Sequence, residues 1–336
     1  MITIIKTLIA AAVFSTTGFW YLRRRKKEHD NIDSNRSNKL VFITGCDSGL
    51  GFSLAIHCHE LGLHVFATVL NPDGEAGKHL NQLGSRTERL HVVKVDISDK
   101  QSILKGVEKV EQLLKNEDLK LHCLINNAGV MVFAESEWQT ENLIRDQIQI
   151  NLIGTIMVTK LFSSLLRKHQ GRVINISSHC ALEALPGLSV YAASKAGLKA
   201  YTDGLRVEME KYGVKVISLI PGSFFGQSNI LSKQKLQAKQ MKQEMDKEDY
   251  EFYSDYFNRY NSYLSALSGE RPAVQLQDDK LYSNINHALL SPNPRPFYCS
   301  SPRRYALYHV LFKLSPTIKI RDKLVERFIQ MPKFRN

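Results

Sequence analysis

Cysteine is scarce in this chain and is arranged for neither of its usual structural uses. The five residues (Cys46, Cys58, Cys123, Cys180, Cys299) are odd in number, widely spaced and never in a C-x-x-C pair. That excludes a disulfide framework and a zinc site, and a reducing compartment is expected. His57-Cys58-His59 does not make a metal site either, because adjacent residues on a helix point in different directions and no second ligand pair follows. No internal repeat or low-complexity block occurs, and a composition of 43% hydrophobic and 23% charged residues excludes a disordered or collagen-like protein. A mean hydropathy of −0.24 excludes a polytopic membrane protein while leaving room for one anchor. The middle of the chain also lacks net charge. Of the formal +12, residues 1–30 contribute six basic side chains against two acidic ones and residues 294–336 contribute ten against two, so the 263 residues between are neutral. A body without net charge has no net attraction for a polyanion, and no nucleic-acid partner is expected.

The two basic ends suit a membrane surface. From Thr7 to Leu22 there are sixteen residues without a charge, followed at once by Arg23-Arg24-Arg25-Lys26-Lys27. With Met1 to Ile5 and a snorkelling Lys6, the apolar span reaches about 20 residues, enough to cross a bilayer. The basic block lies after the apolar run, where a cleaved signal peptide would carry it before, and a mitochondrial presequence would intersperse arginines along the helix. The expectation is a transmembrane anchor over 1–22 and a basic, polar linker over 23–38, with the body in the cytosol by the positive-inside rule.

After the linker, short apolar runs alternate with amphipathic segments, the pattern of a βαβ series. Strands are expected at Lys39–Ile43, His64–Val69, Leu90–Val95, Leu121–Ile125, Arg172–Ile176, Val214–Leu219 and Pro296–Cys299. Helices are expected near 50–61, 73–84, 99–114, 137–166, 190–211 and 230–265. Seven strands with helices on both faces describe an α/β, doubly wound parallel sheet of the Rossmann type in one domain over 39–302.

The first strand runs into Thr44-Gly45-Cys46-Asp47-Ser48-Gly49-Leu50-Gly51 and then a helix. Glycines there let the backbone turn tightly and approach a pyrophosphate, whose charge the exposed N–H groups of the helix start would hold. Further along, Tyr191-Ala192-Ala193-Ser194-Lys195 opens the helix after the fifth strand, thirteen residues beyond Ser178. Tyr191 and Lys195, at i and i+4, share a helical face, so the ammonium is expected to favour phenolate and to make a general base of a side chain whose ordinary pKa is about 10.

These motifs resemble the short-chain dehydrogenase/reductase family, and the likeness extends over nearly the whole body. The resemblance implies that Gly45, Asp47, Ser48, Gly49, Leu50 and Gly51 bind the dinucleotide, and that Asp96 accepts from the adenine amino group. It implies that Asn127, Ala128 and Gly129 of Asn126-Asn127-Ala128-Gly129 line the adenosine side, and that Pro221-Gly222 turns beside the nicotinamide. The family often has Thr five residues after that proline, where this chain has Gly226; Ser223 is the substitute at hand. By the same likeness Tyr191 exchanges the proton with the substrate oxygen and Ser178 hydrogen-bonds it, with Ser177 the neighbouring alternative. Lys195 holds the nicotinamide ribose and tunes Tyr191, and Asn151 positions a water behind Lys195. The helices near 137–166 and 190–211 resemble the family's dimer surface and imply a homodimer.

The cofactor is expected to be NAD in preference to NADP, since the glycine-rich loop carries Asp47 and no basic residue to meet a 2′-phosphate. Against that, Thr68-Val69-Leu70-Asn71 ends the second strand without the acid that would grip both ribose hydroxyls. A substrate cover is expected over about 223–285. It contains seven aromatics (Tyr250, Phe252, Tyr253, Tyr256, Phe257, Tyr260, Tyr263) that are read as lining a pocket or packing a helix. A basic extension follows over 303–336, suited to a membrane surface or to the pocket entrance. The wording of the glycine-rich loop, of His64–Leu70 and of Pro296–Cys299 resembles the branch containing retinol dehydrogenases, type 2 17β-hydroxysteroid dehydrogenase and 3-hydroxybutyrate dehydrogenase. The expectation is hydride transfer between NAD(H) and a lipophilic secondary alcohol or ketone, a steroid or sterol first. The alternatives are retinol, 3-hydroxybutyrate, or a nucleotide-binding scaffold that turns nothing over. The endoplasmic reticulum membrane is the expected location, a mitochondrial one the alternative.

Overall fold

The computed structural model describes residues 36–222, 224 and 227–334. The expected anchor, the linker up to residue 35, Ser223 and Gly226 lie outside the described residues.

Seven strands form one parallel sheet in the order β3-β2-β1-β4-β5-β6-β7. They are β1 (Lys39–Ile43), β2 (His64–Val69), β3 (Leu90–Lys94), β4 (Lys120–Asn126), β5 (Arg172–Ile176), β6 (Lys215–Ile220) and β7 (Phe297–Cys299), each within one residue of its expected bounds. Central strands read as nearly unbroken apolar runs because helices cover both faces. On one face α1 (Gly49–Glu60), α2 (Glu75–Thr87) and α9 (Asp279–Leu290) bury Phe52, Leu80 and Ile285. On the other α3 (Lys100–Asn116), α5 (Thr155–His169) and α6 (Ser189–Glu210) bury Ile103, Phe162 and Leu205. Strand order reverses direction between β1 and β4, so a crevice opens at their carboxyl ends, the place where such sheets bind ligands.

Three departures from the sequence reading matter. The helix expected over 137–166 is divided into α4 (Glu141–Ile148), a π-helical stretch (Gln149–Gly154) and α5. A residue inserted into the helical ladder displaces the backbone locally, and Asn151 lies there. The continuous Glu141–His169 segment is long and apolar enough to cross a membrane by composition, yet Val158, Phe162 and Leu166 are wholly buried against the sheet, which makes it a core helix. The helix expected over 230–265 is two, α7 (Gln234–Glu244) and α8 (Lys247–Leu267), separated where the Asp246 side chain caps α8 by accepting from the Asp249 N–H at 2.8 Å. Helix α9 was not expected at all. Its start is fixed by Asp278, which accepts from the Leu281 N–H.

Three of the α8 aromatics, Tyr256, Phe257 and Tyr260, pack into the core, while Phe252 and Tyr263 are exposed. Trp138 is 3% exposed, and the rings of Tyr256, Phe257 and Tyr260 each meet it edge-on at 5.2 Å between centroids. The extension forms α10 (Arg303–Leu314) and α11 (Ile318–Phe328). Phe312, Val325 and Phe328 are buried in the same apolar cluster as Met131, Leu185, Leu188 and Tyr191.

Candidate active site

The glycine-rich turn is shaped by close backbone approach. Gly45 and Gly49 hold φ of +71° and +55°, which side chains other than glycine's resist. A Cβ on Gly51 would overlap the Gly45 carbonyl oxygen and the Asn127 side-chain amide. Ser48 stands at the N-cap of α1 without a side-chain capping bond, and no acidic residue occupies the first turn. Uncapped N–H groups and the positive end of the helix dipole make an anion site. These observations fit the pyrophosphate of a dinucleotide. Leu50 packs against the core beneath the turn.

Asn127 is a brace for this loop: its side-chain amide donates to the carbonyls of Thr44 and Gly45, both at 2.9 Å. Thr44 answers by accepting from the Asn127 and Ala128 N–H groups at 2.9 and 3.0 Å. Gly45 lies so near Ala128 that an added Cβ would sit 2.8 Å from the Ala128 Cα. Asn126 joins the centre of the sheet, donating to Thr159 Oγ1 and Asn175 Oδ1 at 2.9 and 2.8 Å. The Asp47 carboxylate accepts from the Leu70 and Asn71 N–H groups at 2.8 and 3.3 Å, which fixes a negative charge at the end of β2. Asp96 uses one carboxylate oxygen on the Ser98 N–H and hydroxyl, at 2.8 and 2.6 Å. Gly222, at φ +112°, passes the carbonyl of Ser300 beside the end of β6.

Across the crevice, Ser178, Tyr191, Lys195 and Asn151 come together from three different elements, Tyr191 and Lys195 sharing α6. Ser178, two residues beyond β5, caps a single 3-10 turn, its hydroxyl accepting from the Cys180 N–H at 3.1 Å. The same hydroxyl acts on the Tyr191 phenol in the direction that favours its ionised form. Ser177 is buried with its hydroxyl unpartnered. Lys195, 4% exposed, donates to the Ile176 carbonyl at 3.0 Å. Asn151 donates to the Val130 carbonyl at 2.8 Å and to Ser194 Oγ at 3.0 Å, and accepts from the Val130 N–H at 2.8 Å. A Cβ on Gly129 would stand 3.1 Å from Asn151 Oδ1 and 3.5 Å from Lys195 Nζ, so a side chain there would crowd Asn151 while only touching Lys195.

Electrostatics corrects one expectation. Burial pushes the Tyr191 phenol well above its ordinary range, the nearby Cys180 adds to this, and the bond from Ser178 opposes it; Lys195 is not among the causes. The reason is reciprocal. Burial also drives Lys195 down to about 8, its Nζ is turned to a carbonyl, and it stands 6.0 Å from the Tyr191 ring centroid. Desolvation therefore outweighs their mutual attraction in the protein alone.

Several site residues escaped the sequence reading. Thr44 and Asn175 act through partners distant in sequence, and His179 and Glu183 meet side chains from α10 and α11. No local pattern announces such pairs.

A glycine-rich turn thus faces a Ser–Tyr–Lys cluster across the crevice of a doubly wound sheet. The model of the family described as short chain dehydrogenase matches residues 39–237, and the chain belongs to that family, whose members bind NAD(P). It is 40% identical over 204 residues to the mouse protein named D-beta-hydroxybutyrate dehydrogenase, mitochondrial, with 60% of this chain and 59% of that protein covered. The matched region thus spans about three fifths of the length of that relative. It is 30% identical over 323 residues to rat estradiol 17-beta-dehydrogenase 2, covering 96% of this chain and 82% of the relative. A crystal structure of a short-chain dehydrogenase from Streptomyces avermitilis shares the fold, with a TM-score of 0.63 at 22% identity over 86% of this chain and 96% of that one.

Proposed function

We propose that the protein is a membrane-associated dehydrogenase that interconverts the hydroxyl and ketone of a steroid or sterol, using NAD(H). The observation that carries the reading is the junction of Ser178, Tyr191 and Lys195 at one mouth of the sheet, with Lys195 Nζ 6.0 Å from the Tyr191 ring centroid and Ser178 favouring the phenolate. Ser178 would orient the substrate oxygen, and Tyr191 would take its proton as phenolate during oxidation and return it as phenol during reduction. When bound, the nicotinamide supplies the acceptor or donor of hydride, and its oxidised form brings a positive charge that favours phenolate. The glycine-rich turn and the start of α1 would hold the pyrophosphate. Lys195, at about 8, stays largely an ammonium at neutral pH, positioned to bond the ribose, while Asn151 anchors the backbone behind it. In reduction, the raised phenol is well suited to keep a proton until the ketone oxygen requires it.

Two features support the finer reading. The surroundings of Tyr191 are hydrocarbon, with Met131, Leu185, Leu188, Leu231 and Phe328 in its cluster, which suits a lipophilic alcohol better than a small hydroxy acid. The fixed carboxylate of Asp47 at the end of β2 would repel a 2′-phosphate and favours NAD over NADP. Membrane association would draw on the N-terminal apolar run and on the exposed face of the extension. There Leu307, Leu314 and Ile318 are 58%, 74% and 75% exposed beside Arg303, Lys313 and Lys319. Such a protein would lie in the endoplasmic reticulum membrane, its body cytosolic.

The test is oxidation of a panel of steroids, retinol and 3-hydroxybutyrate by the full chain in mild detergent, read as NADH absorbance and repeated with NADP. Turnover of a steroid with NAD is expected. Turnover of 3-hydroxybutyrate alone would overturn the substrate class. Silence across the panel with nucleotide still bound would favour the scaffold.

A further inference from the structure

The segment after Ser178 has little of its own to hold it. His179–Ala181 is a single 3-10 turn, a unit too short to be stable by itself, yet it fixes the hydroxyl that meets Tyr191. What grips it comes from the far end of the chain. His179, 6% exposed, places Nδ1 2.9 Å from Nε2 of His309 on α10 and Nε2 3.4 Å from Ser301 Oγ. Its ring lies against Tyr305 at 4.4 Å between centroids. A consistent donor order runs from the Cys299 thiol to Ser301, 2.6 Å away, from Ser301 to His179, and from His179 to His309. Two residues past the turn, Glu183, with a side chain only 10% exposed, accepts Nε of Arg321 at 2.8 and 3.0 Å and its Nη2 at 2.5 Å. Between these two polar links, Phe312, Val325 and Phe328 close over Cys180, Leu185 and Leu188.

We infer that α10 and α11 form a clamp that keeps Ser178 in register with Tyr191, and that His309 is a positioning residue acting through His179. The inference rests on the dehydrogenase reading in so far as Ser178 and Tyr191 are taken as its reacting pair. His309 reaches neither side chain. Its effect is to replace a floppy turn by one whose second residue is held from three sides, by an imidazole, a hydroxyl and an aromatic face. An interaction of this kind, lost from a turn that carries a reacting hydroxyl, lowers the fraction of protein with the hydroxyl correctly aimed and leaves dinucleotide binding alone.

The test uses the full chain in detergent with NAD and whichever alcohol it oxidises. His309→Ala is expected to lower kcat by about tenfold, near the upper end of what one net hydrogen bond supplies, with KM for NAD within about twofold of wild type. His309→Gln, whose amide reaches the level of Nε2, should restore kcat to within about twofold. His309→Asn, whose amide stops at the level of Nδ1, should not. Backbone amide exchange read by mass spectrometry provides a measurement independent of turnover: residues 179–183 should exchange faster in His309→Ala, while α9 stays as protected as in wild type. Unchanged exchange in that segment, or equal activity of the Gln and Asn variants, would overturn the clamp. Faster exchange in a protein that oxidises nothing would instead overturn the proposed function and leave the clamp standing.

Discussion

Mild acid should loosen this protein through His179, by an amount that follows from its surroundings. Burial first, and His309 second, lower the His179 imidazole from the ordinary 6.5 to about 4. An unfolded chain begins to take up that proton as the pH falls through 6.5, whereas the folded protein takes it up only near 4. The contribution to stability is thus fully present above 6.5 and is lost between 6.5 and 4. Linkage with those two values amounts to about 2 kcal/mol at about pH 5 and about 3 kcal/mol at about pH 4. His57, His64, His91 and His309 are lowered as well and push the same way, so the wild-type loss alone would not isolate His179. His179→Gln removes this titration and keeps a side chain that can hydrogen-bond. Urea unfolding of the full chain in nonionic micelles, followed by the fluorescence of the buried Trp138, would be run at about pH 7.5 and about pH 5. The variant is expected to lose about 2 kcal/mol less than wild type between those conditions. Equal losses in the two proteins would refute the assignment of a neutral, buried His179.

Tyr191→Phe keeps the ring and removes the proton carrier; kcat should fall by about 10²–10⁴-fold with NAD affinity unchanged in a direct binding titration, and near-normal turnover would sink the catalytic reading. Gly51→Ala forces a methyl onto the Gly45 carbonyl and the Asn127 amide, so the NAD dissociation constant should rise at least about tenfold by calorimetry, while a wild-type value would show that the turn yields freely. Trp138→Ala empties the centre of the aromatic cluster against α8 and should destabilise the protein by about 3–5 kcal/mol in the same urea assay. A loss below about 1 kcal/mol would mean that α8 is held by something else.

Local chemistry and periodicity determined much of this protein from the sequence. The seven strands could be read off because buried parallel strands are short apolar runs bounded by turn residues, and their bounds needed only single-residue adjustment. The glycine-rich turn was legible because its requirements, positive φ at Gly45 and Gly49 and no Cβ at Gly51, are stated by residue type at fixed spacing. Tyr191 and Lys195 were legible as a pair because i and i+4 share a helical face. Helix α9 and the division of α7 from α8 were missed, since Asp278 and Asp246 act as caps only once the backbone around them is placed.

Tertiary structure decided what depends on burial and on partners far apart along the chain. The sequence places Lys195 near Tyr191, but only the packed interior reveals that desolvation of both groups outweighs their attraction and raises the phenol. The aromatics of α8 carry the same composition whether they line a pocket or pack; the position of Trp138, more than a hundred residues away, makes Tyr256, Phe257 and Tyr260 core. The basic extension reads as a surface segment because net charge is a sum over residues. Its folded form turns Phe312, Phe328, His309 and Arg321 inward onto the segment following Ser178. Charge and hydrophobicity are properties a residue carries with it, whereas a pKa, a hydrogen-bond partner or a buried face belongs to a place, and only the fold creates places.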